Sequence, residues 1–203
     1  MKEHVLDKDN VFTVTGRILG RLEEIRDYSS GKAALANLRN SIGRPLSETI
    51  DVWPIVFEQM PEHFLSKNGK LTSEEKAILT TLQIYALHQQ GQSVNVNKRS
   101  EKEKWNNIGI SLKALRNGED TIAIDSRFNT MITSTTFEEL IHHLRQLVRI
   151  LKAKKQNEKI VYARLANDLY WYLRNQEENV RLSWAKAYYS KLENTEKGDV
   201  SND

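Results

Sequence analysis

Arginine and lysine at helical spacing are the residues of this chain with the clearest chemistry to offer. His142, Arg145, Arg149 and Lys152 recur at intervals of three and four, which stacks them on one side of a helix. Such a row suits phosphate: the planar fork of Arg grips it through two parallel N–H donors, and Lys adds a point charge. Neither Arg145 nor Arg149 has an acid four residues away, so no ion pair within the helix accounts for them. Lys154, Lys155 and Lys159 carry the charge further. Cations in a last helical turn are also favoured by the macrodipole, at about 0.3–1 kcal/mol each. That explanation stays open for residues 152–155 but does not reach mid-helix Arg145 and Arg149.

Other cations join them as candidates. Lys32, Arg39 and Arg44 stand in residues 31–47, which contain no Asp or Glu. Lys113 and Arg116 lie on the outer side of another helical stretch, and Arg127 lies in a short one. For Arg127 a pairing with Asp125 or a carbonyl cap is an equal reading. Arg164 and Arg181 have structural readings, spanning Asp168 and Glu177 or Glu178 on their own helices. Lys98 and Arg99 sit in a mixed-charge stretch and read as solvated.

Catalytic constellations are missing. The chain has no cysteine, which removes disulfides, thiolate nucleophiles and zinc-cysteine sites. Neither phosphate-cradling glycine pattern occurs, and no HExxH. His142 and His143 are adjacent on a helix and point about 100° apart, so they do not share a metal. Glu138 and Glu139 open a helix, where cap and dipole explain them. His88, alone beside an apolar face, reads as structural. The expectation is a protein that is not an enzyme, with no cofactor and no metal.

The elements that must position the cations are helices. Of 203 residues, 9 are Gly and 3 are Pro, too little punctuation for strands joined by turns. Residues 135–155 show the most complete design. Thr135 and Glu138 form a capping-box pattern, and Phe137, Leu140, Ile141, Leu144, Leu147, Val148 and Leu151 make an apolar stripe opposite the cations. The rest of the chain is read as organised around this helix. Upstream, Val14, Ile18, Leu22 and Ile25 mark a first helix, with Arg17, Arg21 and Arg26 outside, and Leu35, Leu38 and Ile42 a second. Trp53 and Phe57 should pack inward from a short helix opened by Pro54. Thr72 and Glu75 open a helix that buries Ile78, Leu82, Tyr85 and Ala86 and stops at Gly91. Downstream, Trp105, Ile108, Leu112 and Leu115 mark one helix and residues 122–132 another. Ile160, Leu165, Leu169, Tyr172 and Leu173 give the next, and Val180, Trp184 and Tyr188 the last.

The fold expected is all-α, a multi-helix bundle over residues 11–192. The polar residues 92–104 are where two lobes would meet. Residues 1–10 and 193–203 read as flexible and disordered ends. A net charge of +3 and a pI near 9.0 are mildly basic, so only local patches argue for nucleic acid. No run approaches the about 18 apolar residues of a membrane span, and the start lacks a signal-peptide pattern. A soluble, cytoplasmic protein is expected.

Several stretches in order resemble one family. They are residues 31–39 (GKAALANLR) with Gly43-Arg44-Pro45, residues 85–91 (YALHQQG), Arg127-Phe128-Asn129, residues 143–149 (HLRQLVR), residues 162–169 (YARLANDL) and residues 180–184 (VRLSW). Together they resemble the CasB small subunit of the type I-E CRISPR Cascade complex. The pattern departs at residues 110–115 (ISLKAL), where many members carry a glycine before the basic position, which bears on Lys113. The resemblance implies a non-catalytic helical subunit, present in two copies, in antiviral defence by an RNA-guided DNA-binding complex. Its partners would be the second copy, the backbone subunits on the guide RNA, the large subunit, and target DNA, chiefly the displaced single strand. In such complexes base pairing reads sequence and protein holds backbones.

The sequence reading is therefore a binder of nucleic-acid backbone without sequence preference, using Lys32, Arg39, Arg44, Lys113, Arg116, Arg127, Arg145, Arg149 and Lys152. The rival is a helical scaffold whose basic faces contact acidic protein partners. A free-standing helix-turn-helix regulator is not supported by any helix pair. Trp171, beside the inward stripe of its helix, is the residue expected at a protein interface.

Overall fold

Reciprocal caps and buried stripes fix the helices. The computed structural model describes residues 9–99, 106–117 and 120–191. Within them the chain forms α1 Val11–Ile25, α2 Ser29–Asn40, α3 Trp53–Phe57, α4 Ser73–Gln89, α5 Ile108–Lys113, α6 Thr121–Ile132, α7 Phe137–Lys154, α8 Tyr162–Leu173 and α9 Glu177–Tyr189, with short 3₁₀ turns and no strand. The all-α bundle expected from the sequence is what these residues form. Trp105, residues 100–104, the first eight residues and the tail from 192 lie outside the described residues.

Thr72 and Glu75 cap α4 reciprocally, at 3.0 and 2.7 Å. The cap of α7 is one residue later than the Thr135–Glu138 pattern suggested. Thr136 accepts from Glu139 N at 3.1 Å, and Glu139 takes the Thr135 N–H at 2.8 Å. Two overlapping copies of the same motif occur in TTFEE, and the second is used. Glu138 is thereby released to bind Lys76 at 2.7 Å.

The centre of the molecule is α4 rather than α7. Instead of a stripe, α4 buries residues all round, from Ala77 through Leu82 and from Ile84 through Gln89. Its polar Thr80, Thr81, His88 and Gln89 concealed this in the sequence. The apolar face of α7 is buried as read, at Leu140, Ile141, Leu144, Leu147, Val148 and Leu151, while Phe137 is only partly covered. Around α3 the inward residues are Val52 and Val56, and Trp53 stands 42% exposed, because the i, i+4 pair facing the core begins one position earlier.

Two further joints hold the bundle. Asn97 bridges Ile160, with Ile160 N donating to Val96 O at 3.0 Å and Lys98 N to Ile160 O at 2.9 Å, so the described part of the polar stretch packs against the chain leading into α8. A Cβ on Gly109 would lie 2.3 Å from the Trp184 carbonyl oxygen, so α5 and α9 meet backbone to backbone. Beneath that contact the buried Trp184 donates to Asp168 at 2.8 Å, and Arg164 donates to the same carboxylate at 2.7 Å. Burial pushes the Asp168 pKa up, and these two partners oppose it.

Candidate nucleic-acid interface

Four of the nine candidate cations form one electrostatic cluster. Arg145, Arg149 and Lys152 project from successive turns of α7, and Arg39 reaches them from α2. Desolvation, then Arg149, lowers the pKa of Arg145; desolvation, then Arg39 and Arg149, lowers that of Lys152. Desolvation also lowers Arg39. Such shifts mark positive groups crowded together and partly removed from water. Among the described residues none of the four has a carboxylate partner; Arg149 makes a 3.5 Å contact to Gln146, and Lys152 donates to Leu87 O at 3.1 Å. Crowded cations without counter-charge, three of them partly desolvated and Arg149 exposed, are what an anion-binding surface requires.

Lys152 answers the dipole question in an unexpected way: the carbonyl it engages is an orphan of the last turn of α4, not of its own helix. Lys154 pairs with Asp120. Lys32 is exposed and shares a cleft with Arg39. Arg44 is exposed beyond α2, 4.0 Å from Glu48, the first acid after the acid-free run.

The remaining candidates stand apart. Arg116 forms a fork with Asp125 at 2.9 and 3.1 Å and lies over the rings of Tyr188 and Tyr189. Lys113 donates to Ser190 Oγ at 2.9 Å and to Lys191 O at 2.8 Å, closing the end of α9. Arg127 is exposed on α6 and does not take Asp125, whose carboxylate holds Arg116 and the Tyr188 hydroxyl. Arg164 spans to Asp168 as read, whereas Arg181 turns from Glu177 and Glu178 to Ser134 O and the Tyr172 hydroxyl.

Sequence reasoning passed over a second basic cleft, of about 580 Å³, lined by Arg17, Arg21, Lys98 and Arg99 between α1 and residues 97–99. Its arginines are matched by acids: Arg17 with Asp9, Arg21 with Glu58 at 3.1 Å, and Arg99 with Glu23 at 2.8 Å. Only the fold joins these residues, so no local pattern announced them.

His88 is fully buried, with Nδ1 2.9 Å from the Tyr162 hydroxyl. Burial first and Lys152 second push its imidazole down to about 4. Among the described residues no group of His, Asp or Glu is placed to hold a metal, and no helix is long and apolar enough to cross a membrane.

A sequence profile described as CRISPR-associated protein Cse2 matches residues 34–189. No curated protein matches the chain. The fold is similar to CasB from Thermobifida fusca, at 21% identity and a TM-score of 0.70 over 89% of this chain and 98% of that one. It is similar to a Cse2-family CRISPR-associated protein from Thermus thermophilus, at 22% identity and a TM-score of 0.61 over 87% and 98%. A chain of a CRISPR RNA-guided surveillance complex aligns at 17% identity with a TM-score of 0.67 over 88% and 93%.

Proposed function

The chain belongs to the CRISPR-associated Cse2 family, and from that premise we propose that it is a non-catalytic subunit of an RNA-guided Cascade complex that stabilises opened target DNA. It grips the displaced strand by its phosphates, without regard to sequence. The observation that carries this reading is the acid-free cluster of Arg39, Arg145, Arg149 and Lys152. Guanidinium forks hold phosphate oxygens bidentately and see no base edge. Lys32 and Arg44 extend the track from the acid-free run, and Arg127 adds an exposed cation on α6. Lys113 and Arg116 stand apart from the track and add little to it, because Lys113 donates to the end of α9 and Arg116 to Asp125 of α6.

The partners in this reading are the complex carrying the guide RNA, a second copy of the chain, and cytoplasmic target DNA. Protein contacts need apolar surface, and Trp171 on α8, Ile50 and Trp53 are exposed. Those residues favour a scaffold role running alongside strand binding.

The test is a reconstituted complex carrying the Arg39→Glu/Arg145→Glu/Arg149→Glu chain, bound to duplex target and probed with permanganate. Wild type should shield displaced-strand thymines, and the variant should assemble yet leave them reactive. Equal shielding by both would leave the chain a scaffold for acidic protein partners.

A further inference from the structure

Beside the cationic cluster, and continuous with it through Arg39, lies a cleft of about 230 Å³ between α2 and the turn that ends α4. Leu35 forms an apolar wall, Lys32 and the Arg26–Asp27 ion pair, closed at 3.1 Å, stand at the sides, and Gln90, Gly91 and Gln92 form the rim. The rim is built to keep its shape. Gln89, buried beneath it, donates to Gln92 O at 3.1 Å and Val94 O at 2.9 Å and accepts from Val96 N at 3.0 Å. Gly91 holds φ at +74°, in the left-handed region that favours glycine.

The rim side chains have not been used internally. Neither Gln90 nor Gln92 engages its carboxamide with a described residue, and Arg39 meets no carboxylate although desolvation acts on it. Carboxamide donors and acceptors, an apolar wall and a guanidinium plane are the groups that hold a planar heterocycle by its edges and face. The volume falls below the about 300–1,000 Å³ of sites for drug-sized molecules, which fits a single ring system.

We propose that this cleft receives one unpaired nucleobase of the bound strand, turned in from the phosphates that lie on Arg39, Arg145 and Arg149. This rests on the strand-binding reading above. A carboxamide presents both donor and acceptor, so different bases satisfy it, in keeping with binding that ignores sequence. The base anchors the strand in place where phosphates alone would let it slide.

The experiment compares a single-stranded oligothymidine with an abasic oligonucleotide of equal length and charge, each titrated against the full chain over a salt series. Wild type should bind the abasic strand about five- to a hundredfold more weakly, with the same salt slope. The Gln90→Ala/Gln92→Ala variant, which alters two side chains of the rim, should shrink that difference about fivefold. Equal affinity for both strands, or a difference the variant leaves intact, overturns the base subsite while the phosphate track stands. Absence of any salt-dependent binding would instead remove the phosphate track and the subsite with it.

Discussion

The Lys152 ammonium donates to the carbonyl oxygen of Leu87 at 3.1 Å, tying the cationic end of α7 to the last turn of α4. The side chain therefore has two roles: it satisfies a helix-end carbonyl, and it holds a positive charge beside Arg39 and Arg149. Lys152→Ala should lower stability by about 1 kcal/mol, since the lost charged hydrogen bond is offset by relief of repulsion. Thermal unfolding at low and high salt checks this, and the variant's deficit should grow as salt screens the repulsion that remained in wild type.

Arg116 and Arg145 should separate cleanly. Arg116 is bonded through its fork to Asp125 and covers two tyrosine rings, so Arg116→Ala should destabilise by about 1–3 kcal/mol with little change in strand affinity. Arg145→Ala should weaken strand binding and leave stability nearly unchanged. Denaturant midpoints paired with oligonucleotide titrations decide both.

His88 gives the fold an acid-sensitive centre. Its imidazole is held down to about 4 by burial and by Lys152, against about 6.5 in the unfolded chain. Between these values the unfolded state carries a proton that the native state refuses, so stability falls as pH falls from about 6.5 to about 4 and levels off below. The window corresponds to about 3 kcal/mol. Denaturant midpoints across that range should show the decline in wild type, and His88→Gln should remove this part of it.

Gly109 should not tolerate a side chain. A methyl group there would stand 2.3 Å from the Trp184 carbonyl oxygen, so Gly109→Ala must part α5 from α9. A loss of about 1–3 kcal/mol is expected, with a red shift of tryptophan emission as Trp184 leaves its buried place. A variant as stable as wild type would show that the two helices adjust freely.

Amphipathic helices were the legible part of this chain. The stripe of α7, the cap of α4 and the buried Val180, Trp184 and Tyr188 of α9 follow from local spacing. The centrality of α4 was not legible, because Thr80, Thr81 and Gln89 look solvent-facing until neighbours on every side enclose them. In the candidate site, Arg145 and Arg149 could be chosen because neither has an acid four residues away in its helix. That Arg39 joins them, and that Asp125 claims Arg116 instead of Arg127, depends on packing between helices distant in sequence. Gln90 looked like a helix end and Gln92 like the start of a polar linker; only the cleft beside Arg39 gives them a place in binding.

The central claim is a phosphate-binding face on α7, and the salt dependence of strand binding tests it most directly. A fluorescent single-stranded oligonucleotide is titrated against wild type and an Arg145→Glu/Arg149→Glu variant of unchanged helicity, from low to high salt. Wild type should lose affinity steeply, with log K falling by about 0.7 per phosphate contact for each unit of log salt, and the variant should lose both affinity and about 1.4 of that slope. Equal affinity and equal slope in the two proteins would contradict the claim and place the phosphates elsewhere.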